Sequence, residues 1–424
     1  MSEKFIIKQS NPLSGTVKIS GFKNLAGPIL AATILCDDPC IIDNLPLITD
    51  ILNLIKALEV MGAKIEWLEE KKIKIDTSGI NPSNIPFETF QKMRVSVLLI
   101  GPLLSRFKEF KVPHPGGDKI GLRPIISHLD AFRKLGVVIT VNNGNTYSFK
   151  APEKEEDRVV SLKEFSVTAT ENIMMLASKI QATTKINIAA CEPQIVELAN
   201  FLRKAGVEIK GDGTHTIIIK GKKKLPGISF SVCPDPIEAG TFFIAFATTK
   251  GEGLIQNVNP EHLTFFLERM KDIGVNFVIN DDSIEVKKSG ELKGTKIQIL
   301  PFPGFPTDLQ PQTSVLLTQA VGKSLIHDPL YEDRFFHLRE LRKMGADIEI
   351  TGPNRALIFG KTKLYGNKIH ASDIRTGGAL IIASLIAEGT SEISNVQQID
   401  RGYEKFDEKL KKLGAIIERT EAND

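Results

Sequence analysis

The chain has 424 residues, enough for two or three domains rather than one. Its 54 basic and 51 acidic residues leave a net charge of +3, which argues against a nucleic-acid-binding protein and its strong basic excess. The longest apolar run, Val95 to Leu104, is interrupted by Gly-Pro and is too short to span a bilayer, and the opening MSEKFIIKQSNPLSG has no apolar core of signal-peptide length. Cys36, Cys40, Cys191 and Cys233 follow no zinc-site spacing and read as reduced thiols. The expectation is a soluble cytoplasmic protein with no zinc site, no nucleic-acid partner and no membrane association. Nothing in the sequence sets an oligomeric state.

In chain order, the first strongly apolar segment is NLAGPILAATIL, opening at Asn24, and it is followed by an amphipathic helix through Ile51–Leu58 that ends at Gly62. A second pair follows: RVSVLLIGPLL from Arg94, and AFRKLG ending at Gly136. The pattern returns with TATENIMMLAS from Thr168 and FLRKAG ending at Gly206. It returns again with EAGTFFIAFATT from Glu238 and Gly274, with QPQTSVLLTQAV after Asp308 and Gly345, and with RTGGALIIASLIAEG from Arg375 and Gly414. The unit is about 70 residues long and occurs six times. Each glycine stands where a left-handed residue would end the amphipathic helix. Each is followed by an alternating strand, as in Val207-Glu208-Ile209-Lys210, which Asp212-Gly213 turns into Thr216-Ile217-Ile218-Ile219. Asp281-Asp282 and Gly352-Pro353-Asn354 occupy equivalent turns.

The other helix of each unit is apolar nearly all round, which predicts a buried helix. All six nevertheless start on a polar or charged residue: Asn24, Arg94, Thr168, Glu238, Asp308 and Arg375. Six units grouped three and three would bring these helix starts together on one face of each domain. Unpaired N–H groups and the positive dipole end would make such faces suited to anions, phosphates above all. Thr168 or Glu238 alone reads as a cap. Lys23, Arg94 and Arg375 do not, because a cation is poorly placed at a helix N-terminus, and they point to a bound anion that offsets the repulsion.

Between the second pair of helices lies PHPGGDKIGLRP, residues 113–124. Gly116 and Gly117 free the backbone while Pro113, Pro115 and Pro124 stiffen its flanks, the composition of a lid. It lacks the Gly-Lys-Ser/Thr ending of a phosphate-binding P-loop. Lys119 reads as a solvated loop charge.

At this point several stretches resemble the enolpyruvyl transferases: Ser20-Gly21-Phe22-Lys23-Asn24, PGGDKIGLRP, Ser166-Val167-Thr168-Ala169-Thr170-Glu171-Asn172, Phe305-Pro306-Thr307-Asp308-Leu309-Gln310, Tyr331-Glu332-Asp333-Arg334-Phe335, Asp373-Ile374-Arg375 and Ile399-Asp400-Arg401-Gly402-Tyr403-Glu404. The resemblance runs end to end and is nearest to the branch that opens peptidoglycan synthesis. The sister branch of the shikimate pathway shares the fold, but its N-terminal and glycine-rich signatures are not seen. The resemblance implies an α/β fold of two inside-out domains, each of three repeated units. One domain would comprise residues 1–21 plus 232–424, with the general base Asp308 and Arg401. The other would comprise residues 22–231, with the 113–124 lid and the uridine-diphosphate contacts. The implied reaction carries enolpyruvate from phosphoenolpyruvate to the 3′-hydroxyl of UDP-N-acetylglucosamine and releases phosphate, without metal or cofactor.

By the same resemblance, Lys23, Arg123 and Arg401 contact the phosphate of phosphoenolpyruvate or the intermediate, with Arg334, Arg375 and Arg94 beside them. Asp308 is the candidate base, or orients the sugar hydroxyl; Asn24 hydrogen-bonds the sugar. Pro124 and His128, in the 123–129 segment, and Ser166, Val167 and Thr168 would hold the nucleotide, and Leu330 would line the site. His128 reads equally as packing or as ligand contact. Most members carry cysteine where Asp118 stands. The thiol serves in proton transfer and is the target of fosfomycin. Aspartate keeps acid–base capacity but alkylates poorly, which implies a general acid at Asp118 and insensitivity to the drug. Glu164 stands where some members have a basic residue, and Ile126 and Ser127 also depart from the pattern. These departures keep two alternatives open: a paralogue using another acceptor, and a non-catalytic UDP-sugar-binding protein.

Overall fold

The computed structural model describes residues 3–117, 120–121, 124–142 and 146–421. The chain folds into two compact units. A terminal unit takes the chain up to Ser20 and from Pro234 onward; an inner unit takes Gly21 to Cys233, except that Ile120 and Gly121 group with the terminal unit. The chain crosses between them at Ser20–Gly21 and at Cys233–Pro234. At the first crossing a Cβ on Gly21 would come within 1.9 Å of the Asn44 carbonyl oxygen, so glycine is required there.

Among the described residues, each unit holds three small sheets. Five of the six sheets have four strands: a parallel pair at one edge, continued by two antiparallel strands. The strand predicted after Gly206 is typical: Glu208–Lys210 pairs with Thr216–Lys220, with Ile209 opposite Ile219. The sixth sheet, Glu109–Pro113, Thr146–Lys150 and Val138–Asn142, has three antiparallel strands.

The sheets face outward and the apolar helices lie inside. In the terminal unit, Pro236–Thr248, Gln310–Thr318 and Ile374–Ile386 pack on one another; the first two are buried at every residue and the third at all but Ile386. In the inner unit the corresponding segments are Lys23–Ala32, Ile100–Arg106 and Val167–Ala177. The two-domain, six-unit α/β architecture expected from the repeat is what forms. All six repeat glycines have positive φ, between 86° and 110° (Gly136 and Gly62), as ends of the amphipathic helices require.

One helix differs from expectation. The segment from Arg94 runs as a 3-10 turn to Leu99 and becomes α-helical at Ile100–Arg106. Pro102 lacks the N–H that would bond the carbonyl four residues back, and its ring crowds that carbonyl. Asn172 of the neighbouring helix replaces the next such bond: its Oδ1 accepts from Gly101 N–H at 2.8 Å and its Nδ2 donates to the Val97 carbonyl at 3.0 Å.

Candidate active site

In the terminal unit the start of each buried helix carries a charged side chain, and the structure joins two of them, Asp308 and Arg375, with Arg334 as a third partner. Thr307–Leu309 is a 3-10 turn leading into Gln310–Thr318. Asp308 lies within that turn. Its Oδ1 accepts from Arg334 Nη2 at 2.7 Å and its Oδ2 from Arg375 Nη2 at 2.9 Å. The arginine side chains are 3% and 5% exposed whereas that of Asp308 is 27% exposed, so the carboxylate faces outward on a buried cationic support. Arg375 Nη1 and Arg334 Nε are buried and have no hydrogen-bond partner among the described residues.

The turn itself is held by Asp328, which accepts from Thr307 Oγ1 at 2.7 Å and from the backbone N–H of Leu330 at 3.1 Å. Leu330 is exposed beside it. Asp373 caps the Ile374–Ile386 helix through the N–H groups of Arg375 and Thr376. Burial pushes the Asp373 carboxyl up, but Arg334 and the hydrogen bonds outweigh it and the net shift is downward. For Arg375, burial favours the neutral form; the charge of Asp308, with Tyr403 and Asp235, more than reverses this, and the guanidinium is held firmly charged. Arg401, half-buried two residues before Tyr403, donates to Gln398 Oε1 at 2.7 Å.

Asp235 caps the Pro236–Thr248 helix, accepting from Ile237 N–H at 2.7 Å and Glu238 N–H at 3.2 Å. Burial pushes its carboxyl up from the ordinary 3.8 to about 6, with Arg375 opposing. The folded chain therefore keeps a proton that the unfolded chain has lost between these values. The associated stability is fully present below the lower value and is lost as pH rises through the upper one. Asp235→Asn keeps a cap acceptor and removes the charge. It is expected to raise stability at pH 7.5 by about 1–3 kcal/mol and to change it little at pH 4, measured by urea midpoints at both values.

In the inner unit, Lys23 opens the Lys23–Ala32 helix, with half-buried Asn24 next to it. Lys23 Nζ lies 2.9 Å from Asp50 Oδ2, and Asp50 sits in the first turn of the Thr49–Val60 helix. Arg94 Nη2 donates to the Pro124 carbonyl at 3.4 Å. Ser166 caps Val167–Ala177 by accepting from Ala169 N–H at 3.3 Å. His128 is 1% exposed. Asn172 Nδ2, a donor, lies 3.2 Å from His128 Nδ1, so Nδ1 accepts and the ring proton on Nε2 faces Thr168 Oγ1 at 3.0 Å. Burial lowers the His128 pKa to about 3, keeping the ring neutral. His128 thus ties the Ile126–Lys134 helix to the start of Val167–Ala177. The neighbouring Ser127 hydroxyl donates to Glu164 Oε1 at 2.5 Å. Asp118 and Arg123 lie outside the described residues.

The reading of Thr168 and Glu238 as caps is corrected: Ser166 and Asp235 do the capping, because their side chains precede the helix and can reach its free N–H groups. The cations at helix starts are also offset from within the protein, Lys23 by Asp50 and Arg375 by Asp308, not by a bound anion alone. Sequence reading missed Asp50, Asp235, Asp373 and Tyr403 as contributors. Asp235-Pro236 was a visible signal, since a cap residue followed by proline marks a helix start.

A family model described as EPSP synthase (3-phosphoshikimate 1-carboxyvinyltransferase) matches residues 7–410. A Finegoldia magna protein named UDP-N-acetylglucosamine 1-carboxyvinyltransferase is 42% identical over 420 residues, covering 99% of both chains. UDP-N-acetylglucosamine 1-carboxyvinyltransferase 1 of Caldanaerobacter subterraneus subsp. tengcongensis is 44% identical over 420 residues, 99% of this chain and all of that one. Among solved structures, the enolpyruvyl transferase NikO from Streptomyces tendae aligns over the whole of both chains with a TM-score of 0.91 at 21% identity. EPSP synthase from Acinetobacter baumannii aligns over 99% of this chain and all of its own with a TM-score of 0.76 at 20% identity. These two likenesses show the fold; the family match and the relatives above 40% identity show the lineage. The chain is a transferase and belongs to the enolpyruvyl transferase family, which the EPSP synthase model describes.

Proposed function

We propose that the chain transfers the enolpyruvyl group of phosphoenolpyruvate to the 3′-hydroxyl of UDP-N-acetylglucosamine, the step that commits this sugar nucleotide to peptidoglycan. The observation that carries the reading is Asp308, an outward-facing carboxylate fixed on both oxygens by buried arginines. Asp308 takes the proton of the acceptor hydroxyl as its oxygen bonds to C2 of phosphoenolpyruvate and the methylene carbon gains a proton. Return of a proton from that carbon to the Asp118 carboxylate and cleavage of the C2–O bond to phosphate, which leaves with the proton held by Asp308, then restore the double bond and release inorganic phosphate. Lys23, Arg123 and Arg401 hold the phosphate, and Arg334 and Arg375 keep Asp308 ionised and aimed. Asn24 holds the sugar. Arg94, Pro124, Ser166, Val167, Thr168 and Leu330 serve the nucleotide end, with His128 as their internal brace. Asp118 supplies the proton to the methylene carbon from the 113–124 lid.

One observation favours a second reading. Glu164 is exposed just ahead of the Val167–Ala177 helix, where a diphosphate would bind, and a carboxylate there repels it. A paralogue acting on a less anionic acceptor would tolerate that charge.

Phosphate release from phosphoenolpyruvate, measured with UDP-N-acetylglucosamine and with uncharged or monophosphate acceptors, decides between the two. Release dependent on UDP-N-acetylglucosamine is expected. Release with another acceptor alone would establish the paralogue, and binding without release would leave a non-catalytic protein. In the same assay turnover is expected to resist fosfomycin, and Asp118→Asn to lose about 10²–10⁴-fold in kcat. Undiminished turnover in that variant would remove Asp118 from the mechanism.

A further inference from the structure

We propose that Tyr403 is a positioning residue: its phenol fixes the Arg375 guanidinium and, through it, the Asp308 carboxylate. The inference rests on the reading of Asp308 and Arg375 as active-site residues.

Tyr403 is 1% exposed and sits where the three buried helices of the terminal unit meet. Gln312 Nε2 donates to its hydroxyl at 2.8 Å, from the Gln310–Thr318 helix. Thr241 Oγ1, on Pro236–Thr248, lies 3.0 Å from the same oxygen. The Thr241 hydroxyl proton is already committed to the Ile237 carbonyl at 2.7 Å. Tyr403 is therefore the donor to Thr241, and the orientation of its O–H is fixed. One phenol lone pair accepts from Gln312, and the positive charge of Arg375 acts on the phenol at close range.

The third helix supplies Arg375. Its guanidinium carbon lies 5.4 Å from the centroid of the Tyr403 ring, within cation–π range. One turn further on, a Cβ on Gly378 would come within 2.9 Å of the Tyr403 hydroxyl oxygen, so the missing side chain is what lets the phenol lie against this helix. The ring also stacks on Phe406, centroids 4.6 Å apart at 22°. Tyr403 thus has a fitted socket with contacts from all three helices. The phenol stays neutral, since burial raises its pKa. A neutral oxygen and a ring face beside a buried guanidinium orient the charge without cancelling it. Arg375 Nη2 then sets Asp308 Oδ2, opposite Arg334 on Oδ1.

The test is Tyr403→Phe in the full chain, assayed by phosphate release with both substrates varied. Phenylalanine keeps the ring and the packing but removes the oxygen. The Arg375 charge remains, so ground-state attraction for anions persists and KM for each substrate is expected to stay within about threefold. Loss of alignment should lower kcat by about 10–100-fold. A merely structural role would lower the melting temperature and leave kcat per folded molecule unchanged; that result overturns the proposal. If Tyr403→Phe does not fold, Thr241→Val decides, because it keeps the phenol and removes its acceptor. A fall in kcat at constant KM supports the proposal, and no change overturns it. Wild-type protein that releases no phosphate with any acceptor overturns the reaction and the tyrosine's part in it together. An active wild type and an inactive Asp308→Asn, with unaltered Tyr403→Phe, overturn the tyrosine's part alone.

Discussion

Asp308→Asn is expected to cut kcat by about 10²–10⁴-fold, the range for loss of a general base. The substitution preserves shape but not charge, and its carboxamide cannot satisfy both neighbours. One end is an oxygen that still accepts from an arginine. The other is an NH₂ that faces the second guanidinium donor to donor. Arg334 and Arg375, both almost fully buried, would then share no anionic partner between them. Asp328 and Asp373 still act on Arg334, and Asp235 on Arg375, so the loss should be only part of the cost of an uncompensated buried charge, about 3–5 kcal/mol, and the variant should unfold at lower urea. The two effects separate with Asp308→Glu. Glutamate keeps the charge, so most of the stability should return, while the added methylene moves the carboxylate off the acceptor hydroxyl and kcat should stay low. The opposite pattern, a stable Asp308→Asn with full turnover, would place the base elsewhere.

The reach of sequence reasoning follows from the distances involved. The repeat was legible because it rests on local rules: the six glycines are left-handed, and the alternating strands form hairpins as their turns demand. The Arg94 segment was read as one helix because periodicity takes no account of Pro102 and its lost hydrogen bond. Within the site, the individual charges were visible as anomalies at helix starts. Their pairings were not. Lys23 meets Asp50 across two helices, and Thr241 meets Tyr403 across 162 residues, with no spacing that encodes either contact. The assumption that a cation at a helix start implies a bound anion overlooked carboxylates brought in by tertiary folding. That correction changes the chemistry. In the proposed reaction, a preformed Asp308 between two arginines would be a base held ready before any substrate arrives, and not a group that its substrate must organise.

A second large effect on stability is expected at the first chain crossing. Glu238, in the first turn of Pro236–Thr248, has a side chain 3% exposed and is bonded to Lys409 Nζ, whose side chain is 17% exposed. Lys409 also donates to Ser20 Oγ at 2.8 Å, and the Ser20 N–H donates to Glu238 Oε2 at 2.7 Å. This closed triangle holds the last residue of the terminal unit before the chain crosses at Gly21. Lys409→Met removes one charge and leaves the glutamate with the Ser20 N–H and the helix dipole as support. The expected loss is about 2–4 kcal/mol, below the full value for a buried pair because Lys409 is partly hydrated. Glu238→Gln in the same background removes the stranded charge yet can still accept from Ser20. The double variant should therefore recover most of the loss, giving a coupling energy of about 1–3 kcal/mol in a double-mutant cycle read by urea denaturation. Additive single effects would show that the triangle is an assembly of independent contacts. Strong coupling would show that the pair acts as one unit, with its stabilisation residing in mutual compensation and not in either charge alone.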